Sequence, residues 1–221
     1  MFCQEAAMDP VKQRALMSMI AHGVLNIETP SYGVPNPFTI GFELLESVPA
    51  VREAILKCIL DAARYGRAPE ALAQVPGGCR SLASMAADRL RLPYLLPVTI
   101  LAKAPSPILL YGFAPPGSRI MLVHELATGA EPLLGMVRVL EHAGYQVDRV
   151  LILIDADRDG EIPAALRKLD PNILCMSLFR AEDMLLELRD NAVFRNMTES
   201  HKVAQAYAHY CAFTGQKKTA G

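Results

Sequence analysis

The stretch that most constrains this chain runs from Arg119 to Ile154. Ile120-Met121-Leu122-Val123 is wholly apolar and reads as a buried strand. A polar turn with Thr128 and Gly129 follows. From Pro132 to Leu140 the apolar residues at 133, 134, 137 and 140 share one helical face. Pro132 suits a first helical turn, and Gly144 suits the residue past the end. Val150-Leu151-Ile152-Leu153-Ile154 is a second buried strand. Strand, helix and strand in this order build a parallel sheet with a right-handed crossover. Such a sheet presents ligand sites outside the carboxyl ends of its strands, and a helix N-terminus there offers N–H groups to an anion. Residues 124 to 132 are thus either a phosphate-binding turn or a plain connecting loop.

A second junction of the same kind precedes it. Ala71 to Val75 reads as a short strand, Pro76-Gly77-Gly78 as a tight turn, and Arg80 to Leu90 as a helix. Glycines at such a turn permit unusual backbone angles and close approach of a ligand. Around these junctions the chain alternates helices and strands. A helix is expected over Val11–Ala21, then an irregular loop over residues 29–37 and a strand at Phe38–Ile40. Ser47 is expected to cap a helix running to about Arg64. Strands follow at Tyr94–Val98, Ile108–Tyr111 and Ile173–Ser177, with helices at 161–169 and Ala181–Leu188. The tail, Ser200–Cys211, reads as a helix with Val203, Ala206, Tyr207 and Tyr210 on one side, packing on the body or on a second subunit.

Composition narrows the function classes. At 221 residues, the chain fits one domain, or one with a small appendage. A net charge of −1 gives no basic field for nucleic acid or an anionic membrane. No apolar run reaches the ~18–20 residues of a membrane span. No basic segment followed by an apolar core opens the chain, so no secretory signal is expected. Five scattered cysteines without a C-x-x-C pair fit a reduced, cytoplasmic setting with inert thiols. His201 and His209 read as surface residues. Asp155-Ala156-Asp157-Arg158-Asp159-Gly160-Glu161-Ile162 imitates the start of a calcium-binding loop. Leu166 stands where that loop needs a bidentate Glu, so an acidic turn competes with a metal site over Asp155, Asp157 and Asp159.

The order of elements and several local strings resemble the orotate phosphoribosyltransferases, over about residues 12 to 190. Tyr32 to Phe38 is similar to that family's early Ser-Gly-x-Lys-Ser-Pro-Phe/Tyr segment, and Ala73 to Leu92 looks like its pyrophosphate loop and helix. Ala102-Lys103-Ala104-Pro105 sits where the mobile catalytic loop has Ala-Lys-Asp-His, and residues 120–132 sit where the ribose-phosphate loop lies. Ile154-Asp155 and the cluster after it resemble Val-Asp-Arg-x-x-Gly, and Phe179 to Leu185 resembles the final helix. The resemblance implies an α/β fold of the type I phosphoribosyltransferase kind: a mostly parallel central sheet flanked by helices, with a small N-terminal hood; residues 191–221, beyond the resemblance, form the tail with its helix. It also implies transfer of ribose-5-phosphate from phosphoribosyl pyrophosphate (PRPP) to orotate, with Mg2+. Lys103 becomes the catalytic candidate. Gly77, Gly78, His124, Glu125, Leu126, Ala127, Thr128, Gly129 and Ala130 become candidates for PRPP, and Phe38 and Arg158 for the base. Family members are dimers, so a homodimer, or a heterodimer with a paralogue, is implied.

The chain departs from the family pattern in one direction. The paired acids appear as His124-Glu125, and the hydroxyl-rich run after them becomes Thr128-Gly129-Ala130-Glu131-Pro132. Pro35, Thr99, Ile100 and Pro105 stand where the family has cations or potential cations. Each lost charged hydrogen bond is worth roughly 1.5–3 kcal/mol. Three readings result: a member of the fold with weak or lost transfer, acting through an interface or a remodelled pocket; a working transferase, in which Glu125, Thr128 and backbone N–H groups carry PRPP, Lys103 serves the pyrophosphate and His124 acts as a cation in place of a carboxylate; and a nucleotide- or nucleobase-binding regulator.

Overall fold

The computed structural model describes residues 8–27, 38–99, 108–157, 160–192, 194 and 200–218, the last eight of them in backbone only. The chain divides into two compact units, Met1–Ile55 with Arg180–Gly221, and Leu56–Phe179.

The unit Leu56–Phe179 is built on a six-stranded sheet. Its strands are β3 (Ala71–Gln74), β4 (Tyr94–Thr99), β5 (Ile108–Tyr111), β6 (Arg119–Ala127), β7 (Gln146–Asp155) and β8 (Leu174–Arg180), in the spatial order β5-β4-β3-β6-β7-β8. The pairs β3–β4, β3–β6 and β6–β7 are parallel, and β5 runs antiparallel to β4 at one edge. Helices α4 (Arg80–Leu90), α5 (Glu131–His142) and α6 (Glu161–Leu169) connect the strands. The expected α/β architecture with a mostly parallel, helix-flanked sheet is present. Ile120, Leu122, Val150 and Ile152 of the two central strands pack with Leu133, Met136, Val137 and Leu140 of α5 and with Ile162 and Leu166 of α6. These are the residues whose periodicity marks strand and helix in the sequence.

The other unit holds α1 (Pro10–Ala21), the antiparallel pair β1 (Leu25–Ile27) and β2 (Phe38–Ile40), α2 (Phe42–Ser47), α7 (Ala181–Asp190) and α8 (Ser200–Lys218). Asp9 caps α1 by accepting from the Val11 N–H at 2.7 Å. The tail helix α8 packs on α7 and β1 of its own chain. Arg189 lies over the Tyr207 ring, 4.5 Å from its centroid. Val203, Ala206 and Tyr210 are buried, as the apolar side of the tail predicts.

Three expectations are corrected. Ser47 does not cap the following helix: it ends α2, and its hydroxyl donates to the Leu44 carbonyl at 2.9 Å. Val48 is extended and resets the chain before α3 (Pro49–Arg64). The strand expected to stop at Val123 continues through Ala127, because β7 pairs alongside it as far as Ala127↔Asp155. The strand expected to begin at Val150 begins at Gln146 and includes Arg149, which is 2% exposed. Arg149 donates to the Ala62, Ala63 and Arg67 carbonyls at 2.9, 3.0 and 2.8 Å. Its guanidinium thus replaces water at the carboxyl end of α3, where a cation is also favoured by the helix dipole.

Candidate functional site

The expected phosphate turn is shorter than its sequence span. His124, Glu125, Leu126 and Ala127 belong to β6, only Thr128, Gly129 and Ala130 form the turn, and α5 starts at Glu131. Strand residues alternate between faces of a sheet. His124 and Leu126 share a face with Ile120 and Leu122, toward α5 and α6, and Glu125 is on the other.

On that other face Glu125 meets the glycine turn before α4. A Cβ built on Gly77 would lie 2.9 Å from Glu125 Oε1 and 3.1 Å from Oε2. The carboxylate therefore rests against the backbone of the turn, in the place that only a missing side chain leaves open. Gly78 follows, exposed, and leads into α4. No side chain caps α4, and its first turn holds no acid. An anion near that end is favourable, and the chain's own carboxylate is beside it.

On the first face a cavity of about 380 Å³ opens at the head of α5, lined by His124, Leu126, Thr128, Gly129, Ala130 and Glu131, with Pro132 and Leu134 behind them and Glu161 and Ala165 of α6 opposite. His124 is 7% exposed, and its Nδ1 is buried without a hydrogen-bond partner. Burial pushes its pKa down from 6.5 to about 4, with no counter-charge to oppose the shift. The imidazole is neutral at pH 7, which corrects the expectation that it serves as a cation. Ala127 is buried in the core, and its carbonyl accepts from the Ala156 N–H at 2.8 Å.

The acidic cluster after β7 is engaged within the fold. Asp155 Oδ1 accepts from the Asp157 N–H at 2.9 Å, and Asp155 Oδ2 from the Ser177 hydroxyl at 2.7 Å. Asp157 Oδ2 accepts from the Ile162 N–H at 2.7 Å and so caps α6. Among the described residues no group of three His, Cys, Asp or Glu side chains is placed to hold a metal. Burial, and then Asp155 and Asp157, push the Cys175 thiol up to about 11, which keeps it protonated and unreactive. Phe38 is buried on β2, paired with Ile27. Lys103, Arg158 and Asp159, and the strings 32–37 and 102–105, lie outside the described residues.

The site thus joins candidates in two groups: Gly77 with Glu125, and His124, Leu126, Thr128, Gly129 and Ala130 around the cavity. Glu161 is one of the lining residues, with Leu134 and Ala165, that sequence reasoning missed. It is far from β6 in sequence, and only the pairing of β6 with β7 delivers the start of α6 to that wall.

No protein-family model and no curated protein sequence matches the chain. Solved structures do. UMP synthase of Leishmania donovani matches with a TM-score of 0.73 and 19% identity, over 94% of this chain and 43% of that one. This chain therefore spans under half the length of that protein. Orotate phosphoribosyltransferase of Aeropyrum pernix matches with a TM-score of 0.66 and 21% identity, over 78% of this chain and 97% of that one. Adenine phosphoribosyltransferase of Trypanosoma brucei, solved with AMP, pyrophosphate and ribose-5-phosphate, matches at 0.61 and 13%, over 81% and 83% of the two chains. By these likenesses, with the parallel sheet and the two strand–turn–helix junctions, the chain resembles the type I phosphoribosyltransferases and has their fold.

Proposed function

We propose that this chain is an orotate phosphoribosyltransferase-like protein in which PRPP-dependent transfer is weak or lost, acting through a remodelled pocket or a dimer interface. The observation that carries this reading is the buried, neutral His124, which stands where the family has one of its paired acids. Glu125 alone retains a carboxylate there, and an imidazole does not hold magnesium-linked ribose hydroxyls as the lost carboxylate would.

The ligands of one neighbouring fold member support a class of compound for the cavity. The Trypanosoma brucei enzyme holds AMP and ribose-5-phosphate, and we carry a ribosyl ligand over to this chain. The dimer is part of the proposal; edge strand β5, with Leu109 and Tyr111 exposed, is the surface that supports it. A cytoplasmic setting is supported by Cys58, Cys79 and Cys175, which are not joined in disulfides. Among the described residues no helix is long and apolar enough to cross a membrane. Mg2+ belongs to the alternative reading of an active transferase, in which it arrives with PRPP.

Calorimetric titration with PRPP and Mg2+ at moderate salt tests the proposal. No binding at millimolar PRPP is expected. Micromolar binding, with turnover of orotate or another base, would overturn it in favour of the active enzyme.

A further inference from the structure

We infer that two copies of this chain join edge to edge through β5, which pairs antiparallel with β5 of the second copy about a two-fold axis at Leu109 and runs the two sheets into one. This rests on the dimer of the functional reading and gives it a partner strand and a register.

The backbone of β5 is set up for a second strand. β5 lies at the edge of the sheet, and among the described residues nothing pairs on its outer side. Pro97 of β4 lies opposite Leu110 and has no N–H, so the backbone groups of that pair do not bond one another. Such pairs alternate along an antiparallel ladder: Thr99↔Ile108 is of the same kind, and Val98↔Leu109 is not. Ile108 and Leu110 therefore turn their N–H and C=O groups away from β4, which puts two donors and two acceptors on the outer edge.

The side chains agree. Leu109, Tyr111 and Phe113 are 43%, 56% and 77% exposed, and they make up three of the six large apolar side chains exposed among the described residues. The others, Leu44, Tyr65 and Leu174, belong to separate places in the fold. Edge strands that stay single carry charges, prolines or bulges that refuse another strand. Ile108-Leu109-Leu110-Tyr111 has no charge and no proline, and its pairing with β4 runs without a bulge. A concentration of exposed apolar surface on an unprotected edge marks an interaction site.

A second β5 matches this edge. A two-fold axis makes the two strands antiparallel, and each copy supplies the same complement. One register uses all the outward groups, with Ile108 of each copy opposite Leu110 of the other. Leu109 then faces Leu109 of the second copy, in a pair whose Cα atoms are about 4.5 Å apart, with Tyr111 as its diagonal neighbour. Ile108 and Leu110 share the face that packs toward α5. There they form a groove of about 500 Å³ with Val139 and Ala143, and the same two side chains of the second copy come beside it. Arg138 also lines this groove, and its repulsion by Arg138 of the other copy is screened at moderate salt.

Sedimentation equilibrium of the full chain at moderate salt, from roughly 1 to 300 µM, reads the association. A dimer that dissociates in the micromolar range is expected, as for a small interface. Leu109→Lys sets two like charges against each other on the axis and should weaken the dimer about tenfold or more, with circular dichroism as the check on folding. In L109C, mild oxidation should join two chains through residue 109, because the spacing of that pair suits a disulfide; peptide mapping by mass spectrometry reads the bond. L44C, at a residue equally exposed at 43%, should form no such link. A chain that stays monomeric at about 300 µM overturns the inference and the dimer with it. A dimer that L109K leaves intact, or that yields no link through residue 109 in L109C, overturns this pairing alone. PRPP binding with turnover overturns the functional reading and leaves the pairing as it stands.

Discussion

Protonation of His124 should be one of the main routes by which acid weakens this fold. The ring sits on β6 facing α5 and α6, 7% exposed, and burial holds its pKa at about 4 against an ordinary value of 6.5. The folded chain therefore refuses a proton that the unfolded chain accepts below about pH 6.5. The stability contributed by a neutral His124 is full above that pH and is lost as pH falls toward 4. Over the whole window the linkage amounts to about 3 kcal/mol, of which about 2 kcal/mol falls between pH 7 and pH 5. Against a typical domain stability of about 5–15 kcal/mol, this is measurable. Urea unfolding followed by circular dichroism at pH 7 and pH 5, at constant ionic strength, reads the loss. H124Q has no titrating ring, so the difference between the two proteins isolates this residue from the carboxylates. The wild-type chain should lose about 2 kcal/mol more than H124Q. Equal losses would refute the reasoning, as would an NMR signal of the His124 ring that titrates above pH 6. The NMR reading serves even where H124Q folds poorly.

Gly77→Ala should cost about 1 kcal/mol, because its Cβ forces the Glu125 carboxylate off the turn; Glu125→Ala in the same chain should recover most of that loss, and a double-mutant cycle of denaturation midpoints reads the coupling. Arg149→Met strands the carbonyls of Ala62, Ala63 and Arg67 and should destabilise by about 3 kcal/mol in chemical denaturation; a loss below about 1 kcal/mol would show that water replaces the guanidinium freely. Gly112 has φ +110°, and a Cβ there runs into the Tyr94 carbonyl, whereas Gly144, at φ +88°, has open space around it. Gly112→Ala should therefore lower stability by about 3 kcal/mol and Gly144→Ala by about 1 kcal/mol, and equal melting shifts would refute the distinction.

Much of the sheet is legible in the sequence because buried parallel strands are short apolar runs between turn signals. Ala71 to Gln74 and Ile120 to Val123 are found that way, and α5 is found from periodicity and end signals. What misleads is a polar residue inside a central strand. His124 and Glu125 look like the start of a loop, and Asp148 and Arg149 look like its end. Two of them meet partners remote in sequence: Glu125 rests against Gly77, and Arg149 is held by the carbonyls at the end of α3. Ser47 misleads for the opposite reason. A hydroxyl before a proline and an apolar face is a good cap by local chemistry, but the preceding residues fold into α2 and take that hydroxyl for themselves.

The two halves of the His124-Glu125 pair show why a motif comparison underdetermines this site. Along the chain they look like one damaged acidic pair. In the sheet they point to opposite faces and have unrelated surroundings. Glu125, the acid that the pair retains, rests its carboxylate against the glycine turn. His124 gives up charge altogether, because burial disfavours the imidazolium. The retained acid faces the glycine turn; the one change, at 124, leaves a cavity with a neutral imidazole in its wall and carboxylates at its rim. Restoring an acid at 124 would therefore not restore the family's chemistry: the new carboxylate would be buried beside Glu131 and Glu161 with no described cation near it, and would itself be driven toward its protonated form. Recovery of phosphate binding requires cations first, so substitution of Glu131 and Glu161 by Lys should admit a phosphate where His124→Asp does not, a difference that titration with inorganic phosphate reads directly.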